Sequence, residues 1–480
     1  MTNELTLPRM TLAGLSADSR KIQPGYLFAA IPGTAMDGRD FIADAIARGA
    51  TAILAPPDIT AETVGPDVTL VTDANPRRRL ARMAAEFYAP QPEHTVAVTG
   101  TNGKTSVANF TRQLWEMLGR KGAYIGTLGI RADGFDHDGG LTTPDPVDLH
   151  ELLRRMKLDG IDHVAMEASS HGLDMHRLDG LTVRAAAFTN LTRDHLDYHG
   201  SMEAYRAAKL RLFEELLVRD GTAVINTGTQ EYDTIANIAA ERGQKVLSYG
   251  LQNGQLRTIK RQVTTDGFDL EIDVLGSRFA FSFPLPGLFQ IENALAALGL
   301  VIATGADPKE AAPLLASLTG VPGRLQPAAS LENGATVYVD YAHTPDALST
   351  VLAALRPHAA GRLHVVFGCG GDRDKGKRPM MGRIAADLAD TVIVTDDNPR
   401  SENPAEIRRE ILKDCPGAAD IGDRGEAIFR AMKSLKTGDV LCVAGKGHEQ
   451  GQTVKDRVIP FDDATCVRLC ADRLSGAQAT

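Results

Sequence analysis

Gly100-Thr101-Asn102-Gly103-Lys104-Thr105-Ser106 places a lysine and two hydroxyls behind a pair of glycines, an order of residue types suited to phosphate. Glycines let backbone N–H groups approach phosphate oxygens, and a helix N-terminus adds partial positive charge. In such a loop Lys104 bridges the β- and γ-phosphates and Thr105 offers its hydroxyl to Mg2+. The preceding segment 95–98 is β-branched, apolar and uncharged, which predicts a short buried strand. Segment 107–118 carries apolar residues at helical spacing. Strand, glycine turn, Lys-Thr and helix make a nucleotide phosphate-binding loop. It is the shortened form, G-x-x-G-K-T, because Val98 stands where the longer pattern has its first glycine.

Two more segments end in polar tails. A strand over 162–166 leads into Glu167-Ala168-Ser169-Ser170-His171, and one over 185–188 leads into a tail containing Asn190 and His195. In open parallel sheets ligands sit beyond the carboxyl ends of strands, so both tails point to the edge that carries the phosphate loop. Lys209 lies in 205–213, where helical spacing alone puts a lysine on a solvated face.

The elements that must position these groups read as an α/β chain of three domains. Residues 1–92 form a small α/β unit that ends in a proline-bearing linker, 86–92. Residues 93–321 alternate strands and helices, which predicts a parallel sheet with crossover helices. Within them 256–284 alternates apolar and polar residues like an antiparallel insert, and 291–304 reads as an apolar helix beginning at Glu292-Asn293. Residues 322–480 restart the pattern, with strands at 337–339, 363–367, 392–394 and 440–443 and helices at 347–355 and 381–388. This last domain is Rossmann-like and doubly wound.

The 480 residues exceed one ordinary domain. A net charge of −9 argues against nucleic-acid binding, which needs a basic face. The five cysteines form no CxxC pair and read as reduced cytosolic thiols. The first twelve residues lack the basic-then-apolar order of a signal peptide, and no apolar run is long enough to span a membrane. A cytoplasmic monomer is expected.

The segments TGTNGKTS, LTTPD, EASSHGL, TNLTRDHLDYHG, YRAAK, DYAHTPDAL, FGCGGDRDKGKRP, TDDNPRSENP and AGKGHE occur in this order. The set resembles the Mur ligase family and spans all three expected domains. The resemblance implies a UDP-substrate domain, a central ATPase domain and a C-terminal amino-acid domain. It implies transfer of the ATP γ-phosphoryl group onto a carboxylate, then attack of an amine on the acyl phosphate. Among the family's branches, the motifs are most similar to the one that adds meso-2,6-diaminopimelate to UDP-N-acetylmuramoyl-L-alanyl-D-glutamate.

The resemblance also implies roles. Glu167 and His195 become metal residues beside Thr105, and Lys209 becomes a carbamylated lysine that binds Mg2+. Asn293, Arg324, Asp340 and His343 join Gly100 to Ser106 as ATP contacts. Ser19, Thr142, Thr143, Ser169, Met175 and Arg177 take the UDP substrate, with Met175 where relatives usually have glutamine. Arg373, Asp397, Asn398, Pro399, Arg400, Gly445 and Glu449 take diaminopimelate. The loop 34–36 aligns with a UDP-substrate segment through its backbone.

Read without the resemblance, Asn293 caps the helix beginning beside it, Arg324 is a hinge charge, His195 is a hydrogen-bonded structural histidine and Asp397–Arg400 is a strand-to-helix turn. Rival functions are another Mur-type or folylpolyglutamate-type amide ligase, and a non-enzymatic nucleotide sensor. The second should have lost Lys104, Glu167 or Lys209. A dehydrogenase is disfavoured because no G-x-G-x-x-G follows a strand.

Overall fold

Uncharged β-branched runs between glycine turns become the strands of three sheets with parallel cores. The computed structural model describes residues 5–7, 10–33, 36–264 and 266–478, so Thr34 and Ala35 of the loop 34–36, and part of the first twelve residues, lie outside the described residues. The chain forms two units, residues 1–249 with 296–311, and residues 250–295 with 312–480.

The first unit holds an antiparallel pair, Leu5–Leu7 with Met10–Leu12, and two larger sheets. The smaller has four parallel strands in the order Gly14–Ser16, Tyr26–Ala29, Ala52–Ala55, Thr69–Thr72. Helix Pro76–Phe87 follows it. Its N-cap Asn75 accepts from the Arg78 N–H, Pro76 stands at the first turn, and Leu80, Ala84 and Phe87 are buried. This helix takes up the first two residues of the expected 86–92 linker. Both prolines, Pro90 and Pro92, lie beyond the end of this helix.

The larger sheet runs in the order Lys245–Gly250, Leu217–Asn226, Val183–Phe188, His94–Thr99, His163–Glu167, Gly122–Gly126, Gly129–Arg131. All its pairings are parallel except the last. Strand His94–Thr99 sits centrally, buried on both faces, as its apolar run predicts. From it the chain crosses to Gly122–Gly126, returns to His163–Glu167, and then passes to the far side at Val183–Phe188. That reversal is a topological switch point, where such sheets open a crevice. The register sets Glu167 opposite Val98 and Phe188 opposite Thr99, so both polar tails emerge beside the phosphate loop.

In the second unit, Leu256–Val263, Phe268–Val274 and Ser277–Phe283 form the antiparallel insert expected from alternation. A six-stranded sheet runs Gln326–Ser330, Thr336–Asp340, Val440–Ala444, Leu363–Phe367, Thr391–Val394, Ala419–Asp420, parallel except at its first pair. Helices Pro345–Leu355 and Lys377–Leu388 bury Leu352 and Met381 on one face. Helices Arg424–Ser434 and Asp463–Gln478 bury Ile428 and Val467 on the other. The doubly wound reading holds. Helix Leu288–Ala303 starts earlier than expected and places Asn293 in its second turn, so Asn293 is not a helix cap. A hairpin, Gly451–Val454 with Arg457–Pro460, has no counterpart in the sequence reading.

One buried ion pair joins the last two helices. Arg424 Nε and Nη2 each donate to Asp463 carboxylate oxygens at 2.7 Å, with both side chains at 0% exposure. Removing one partner leaves an uncompensated buried charge. Asp463→Ala is expected to cost about 3–5 kcal/mol, read as an earlier unfolding transition in urea. An unshifted midpoint contradicts the pairing.

Candidate active site

Glycine permits the phosphate loop its shape. Gly103 takes φ 87° as N-cap of helix Lys104–Met117. Gly100 takes φ 144°, and a Cβ there would overlap Thr189 Oγ1. Lys104 Nζ donates to Gly100 O at 2.9 Å and Thr101 O at 2.8 Å. The tail after Val183–Phe188 clamps the loop. Asn190 O accepts from the Thr101 N–H and Asn190 Oδ1 from the Asn102 N–H, both at 2.9 Å, and the Thr189 hydroxyl donates to Asn102 O at 2.6 Å. Thr105 and Ser106 are buried in the helix's first turn.

Lys209, on helix Met202–Arg211, is 1% exposed. Its Nζ donates to Gly100 O at 2.7 Å and lies 4.5 Å from the Tyr205 ring centre. Burial, with Lys104 adding like charge, pushes this amine well below the ordinary lysine range, against the weaker pull of Asp194. The solvated-face reading from helical spacing is therefore wrong. The helix turns this face to the phosphate loop.

Glu167 is 1% exposed and accepts from the Tyr124 hydroxyl at 2.5 Å and from the Thr127 N–H at 2.9 Å, both through Oε1. The Thr127 hydroxyl is 3.1 Å from Glu167 Oε2 and 3.2 Å from Thr142 Oγ1. The Thr143 hydroxyl donates to Glu167 O at 2.9 Å and meets Ser169 Oγ at 3.0 Å. Arg177 donates to Thr143 O at 2.9 Å and to Met175 Sδ at 3.2 Å, so the thioether sulfur accepts from the guanidinium. The structure thus joins Thr142, Thr143, Ser169, Met175 and Arg177 to Glu167. Ser19 is not part of this network: it opens the short turn Ser19–Lys21 after strand Gly14–Ser16, where the Ser19 hydroxyl and then Arg48 hold the Asp44 carboxyl below its usual range.

His195 takes the left-handed φ of 52°, 3.5 Å from Asp194 Oδ2 and 4.9 Å between ring centres from His171. Burial lowers its pKa, opposed by Asp194. Among the described residues no group of three or more His, Cys, Asp and Glu side chains is set to hold a metal. Thr105 and Glu167 bring oxygen donors to this edge, the hard type that suits Mg2+.

In the second unit two groups assemble. Buried Asp340 accepts from the Leu325 N–H at 2.6 Å and the Ala342 N–H at 2.8 Å, and burial pushes its carboxyl up to about 6. Arg324 stacks 4.5 Å over the Tyr341 ring, and His343 Nδ1 is 2.9 Å from Tyr341 O. Asn293 donates to Gln290 at 3.1 Å, and Gln290 reaches Arg324 O at 3.4 Å.

The second group is Asp397-Asn398-Pro399-Arg400, beyond strand Thr391–Val394. Asn398 Nδ2 donates to Glu449 Oε2 at 2.8 Å, and a Cβ on Gly445 would lie 2.9 Å from Asp397 Oδ2. Arg400 donates to Gly371 O at 2.8 Å. Arg373 is exposed and donates to Asp372 O at 3.2 Å. Tyr124, Thr127 and Lys446 were missed from sequence. Only Lys446 left a signal, as a lysine one glycine beyond an uncharged strand in AGKGHE.

Three family descriptions match: "Mur ligase family, catalytic domain" over residues 11–88, "Mur ligase middle domain" over 98–301, and "Mur ligase, glutamate ligase domain" over 323–447. The UDP-N-acetylmuramoyl-L-alanyl-D-glutamate–2,6-diaminopimelate ligase of Caulobacter vibrioides is 52% identical, covering 94% of each chain. That of Rhizobium meliloti is 52% identical, covering 95% of this chain and 93% of its own. A solved structure of a ligase of that name is 34% identical, with TM-score 0.74 over 98% of this chain and 97% of its own. MurF of Thermotoga maritima in complex with ADP shares the fold at TM-score 0.63 and 20% identity, covering 96% of this chain and 98% of its own.

A Cβ on Gly126 would overlap Glu167 Oε1 and stand 2.5 Å from the Tyr124 hydroxyl. Gly126→Ala is expected to displace the carboxylate and to destabilise the first unit by about 1–3 kcal/mol. Gly476, with open space around its Cβ position, serves as the control. Equal melting temperatures for Gly126→Ala and Gly476→Ala contradict this packing.

Proposed function

Because the chain belongs to the Mur ligase family, we propose that it joins meso-2,6-diaminopimelate to UDP-N-acetylmuramoyl-L-alanyl-D-glutamate, converting ATP to ADP and phosphate, in the synthesis of peptidoglycan precursors. It acts as a cytoplasmic monomer of three domains, with residues 1–92 for the UDP substrate, 93–321 for ATP and 322–480 for the amino acid. No described helix is long and apolar enough to cross a membrane.

A carboxylate is a poor electrophile. Its oxygen takes the γ-phosphoryl group of ATP, ADP leaves, and the resulting acyl phosphate is attacked by the amine. Phosphate departs and an amide remains. The site must gather a triphosphate and a carboxylate, so cations and N–H dipoles neutralise the crowding. Residues Gly100 to Ser106 cradle the phosphates. Lys104 leaves the Gly100 and Thr101 carbonyls to bridge the β- and γ-phosphates. Asn293, Arg324, Asp340 and His343 contact the nucleotide. Ser19, Thr142, Thr143, Ser169, Met175 and Arg177 hold the UDP substrate.

The observation that carries this reading is Lys209, fully buried with its nitrogen on the phosphate loop. Only a neutral amine adds CO2, and burial pushes Lys209 toward that form. Adding CO2 releases one proton; the carbamate keeps one N–H for Gly100 O and carries one negative charge shared over its two oxygens. Thr105, Glu167, His195 and carbamylated Lys209 would then hold Mg2+, which neutralises phosphate charge when bound. Arg400 pairs with the distal carboxylate of diaminopimelate through two parallel hydrogen bonds, while Asp397, Asn398, Gly445 and Glu449 receive its ammonium end. Arg373 and Pro399 line the same loop.

Two outcomes test this. With 13C-bicarbonate, wild-type protein is expected to show a carbamate carbon resonance that Lys209→Gln lacks, and Lys209→Gln to lose more than about 100-fold in kcat. A bare amine at full activity removes the carbamate. Arg400→Ala is expected to raise the diaminopimelate KM by about 10–100-fold, the value of one charged bidentate contact, with the ATP KM unchanged. An unchanged diaminopimelate KM contradicts the role of Arg400.

A further inference from the structure

The loop Asp397–Arg400 is held from behind. Lys446 follows strand Val440–Ala444 after the single residue Gly445, and its side chain has 0% exposure. Its Nζ donates to Asn398 Oδ1 at 3.0 Å and Glu449 Oε2 at 3.3 Å, and lies 3.7 Å from Asp397 Oδ1. One buried ammonium thus gathers three residues of the proposed amino-acid site. A buried charge is stable only with such partners, so the cluster holds one arrangement.

The hairpin completes the brace. Gln452 Nε2 donates to Asp397 O at 2.6 Å, and the Thr453 N–H donates to Asn398 Oδ1 at 2.8 Å. The Arg400 N–H donates to Thr453 O at 3.1 Å, and the Lys455 N–H to Arg400 O at 2.7 Å. Arg400 takes φ 51°, a left-handed conformation that a non-glycine residue holds only when its surroundings impose it. The two backbone bonds to the hairpin impose it and so aim the guanidinium.

Charge also fits. Asp397 and Glu449 bring two carboxylates against the single ammonium of Lys446, and the surplus negative charge suits an incoming ammonium group. Arg400 stands beside it for a carboxylate.

We propose that Lys446 and Gln452 are positioning residues for acceptor selection: they fix Asp397–Arg400 and Glu449 so that an amino acid ending in both an ammonium and a carboxylate is taken over one ending in an ammonium alone. This rests on the ligase reading above. Neither residue needs to touch the acceptor.

The test is steady-state phosphate release with the UDP-dipeptide and either diaminopimelate or L-lysine. Wild-type protein comes first, and its failure to turn over diaminopimelate overturns the ligase reading itself. With wild type active, Gln452→Glu replaces the donor to Asp397 O with an acceptor of the same shape. The diaminopimelate KM is expected to rise about ten-fold, the loss of one good hydrogen bond, and the preference over lysine to narrow. The KM values of ATP and the UDP-dipeptide stay within about two-fold of wild type, because the brace acts on one substrate only. Lys446→Met is expected to exceed this effect. If it does not fold, Gln452→Glu decides the matter. An unchanged diaminopimelate KM and preference in Gln452→Glu overturns the proposal. So does a parallel change in all three KM values and kcat, which marks a merely structural role.

Discussion

An amine nitrogen shut away from water is the constraint on which the catalytic edge depends. Lys209 meets the Gly100 carbonyl, the Tyr205 ring and the nearby charge of Lys104. None of these repays the lost hydration of an ammonium ion, so the amine is pushed toward its neutral form. The same carbonyl also receives Lys104, so two lysine nitrogens converge on one loop oxygen. An arriving triphosphate offers Lys104 a better partner. In the proposed reaction, a carbamate on Lys209 turns the other nitrogen into support for an anion-holding cation.

The sheet makes this convergence possible. Strand His94–Thr99 lies between the strands ending at Glu167 and Phe188, so one loop and two tails meet where the strand order reverses. Close approach is enforced by missing side chains at Gly100 and Gly126, which leave room for Thr189 and Glu167. The second unit solves a parallel problem differently. Its loop after Thr391–Val394 is shaped by a buried lysine and a hairpin edge, with Arg400 taking a conformation usually left to glycine.

Much of this was legible in sequence, for physical reasons. The phosphate loop announces itself because glycine, lysine and a following helix are each required by the ligand. The parallel sheet follows from uncharged strands alternating with helices, and the antiparallel insert from its alternation. Lys209 was not legible from spacing, because the periodicity of one helix cannot say what will pack on its polar face. Asn293 read as a cap because the helix start lies several residues earlier, in Leu288–Ala303. The hairpin was missed because Gly451–Val454 and Arg457–Pro460 are short and half-buried or exposed, without an apolar stripe. Tyr124 and Thr127 matter only through the Glu167 carboxylate that folding brings to them.

The central claim is that a carboxylate oxygen, not water, takes the phosphoryl group. It is tested by labelling the terminal D-glutamyl carboxylate of the UDP-dipeptide with 18O and analysing the phosphate released during amide formation. The account predicts that each phosphate carries one 18O atom from the carboxylate. Unlabelled phosphate, released at the same rate as the amide forms, would contradict it.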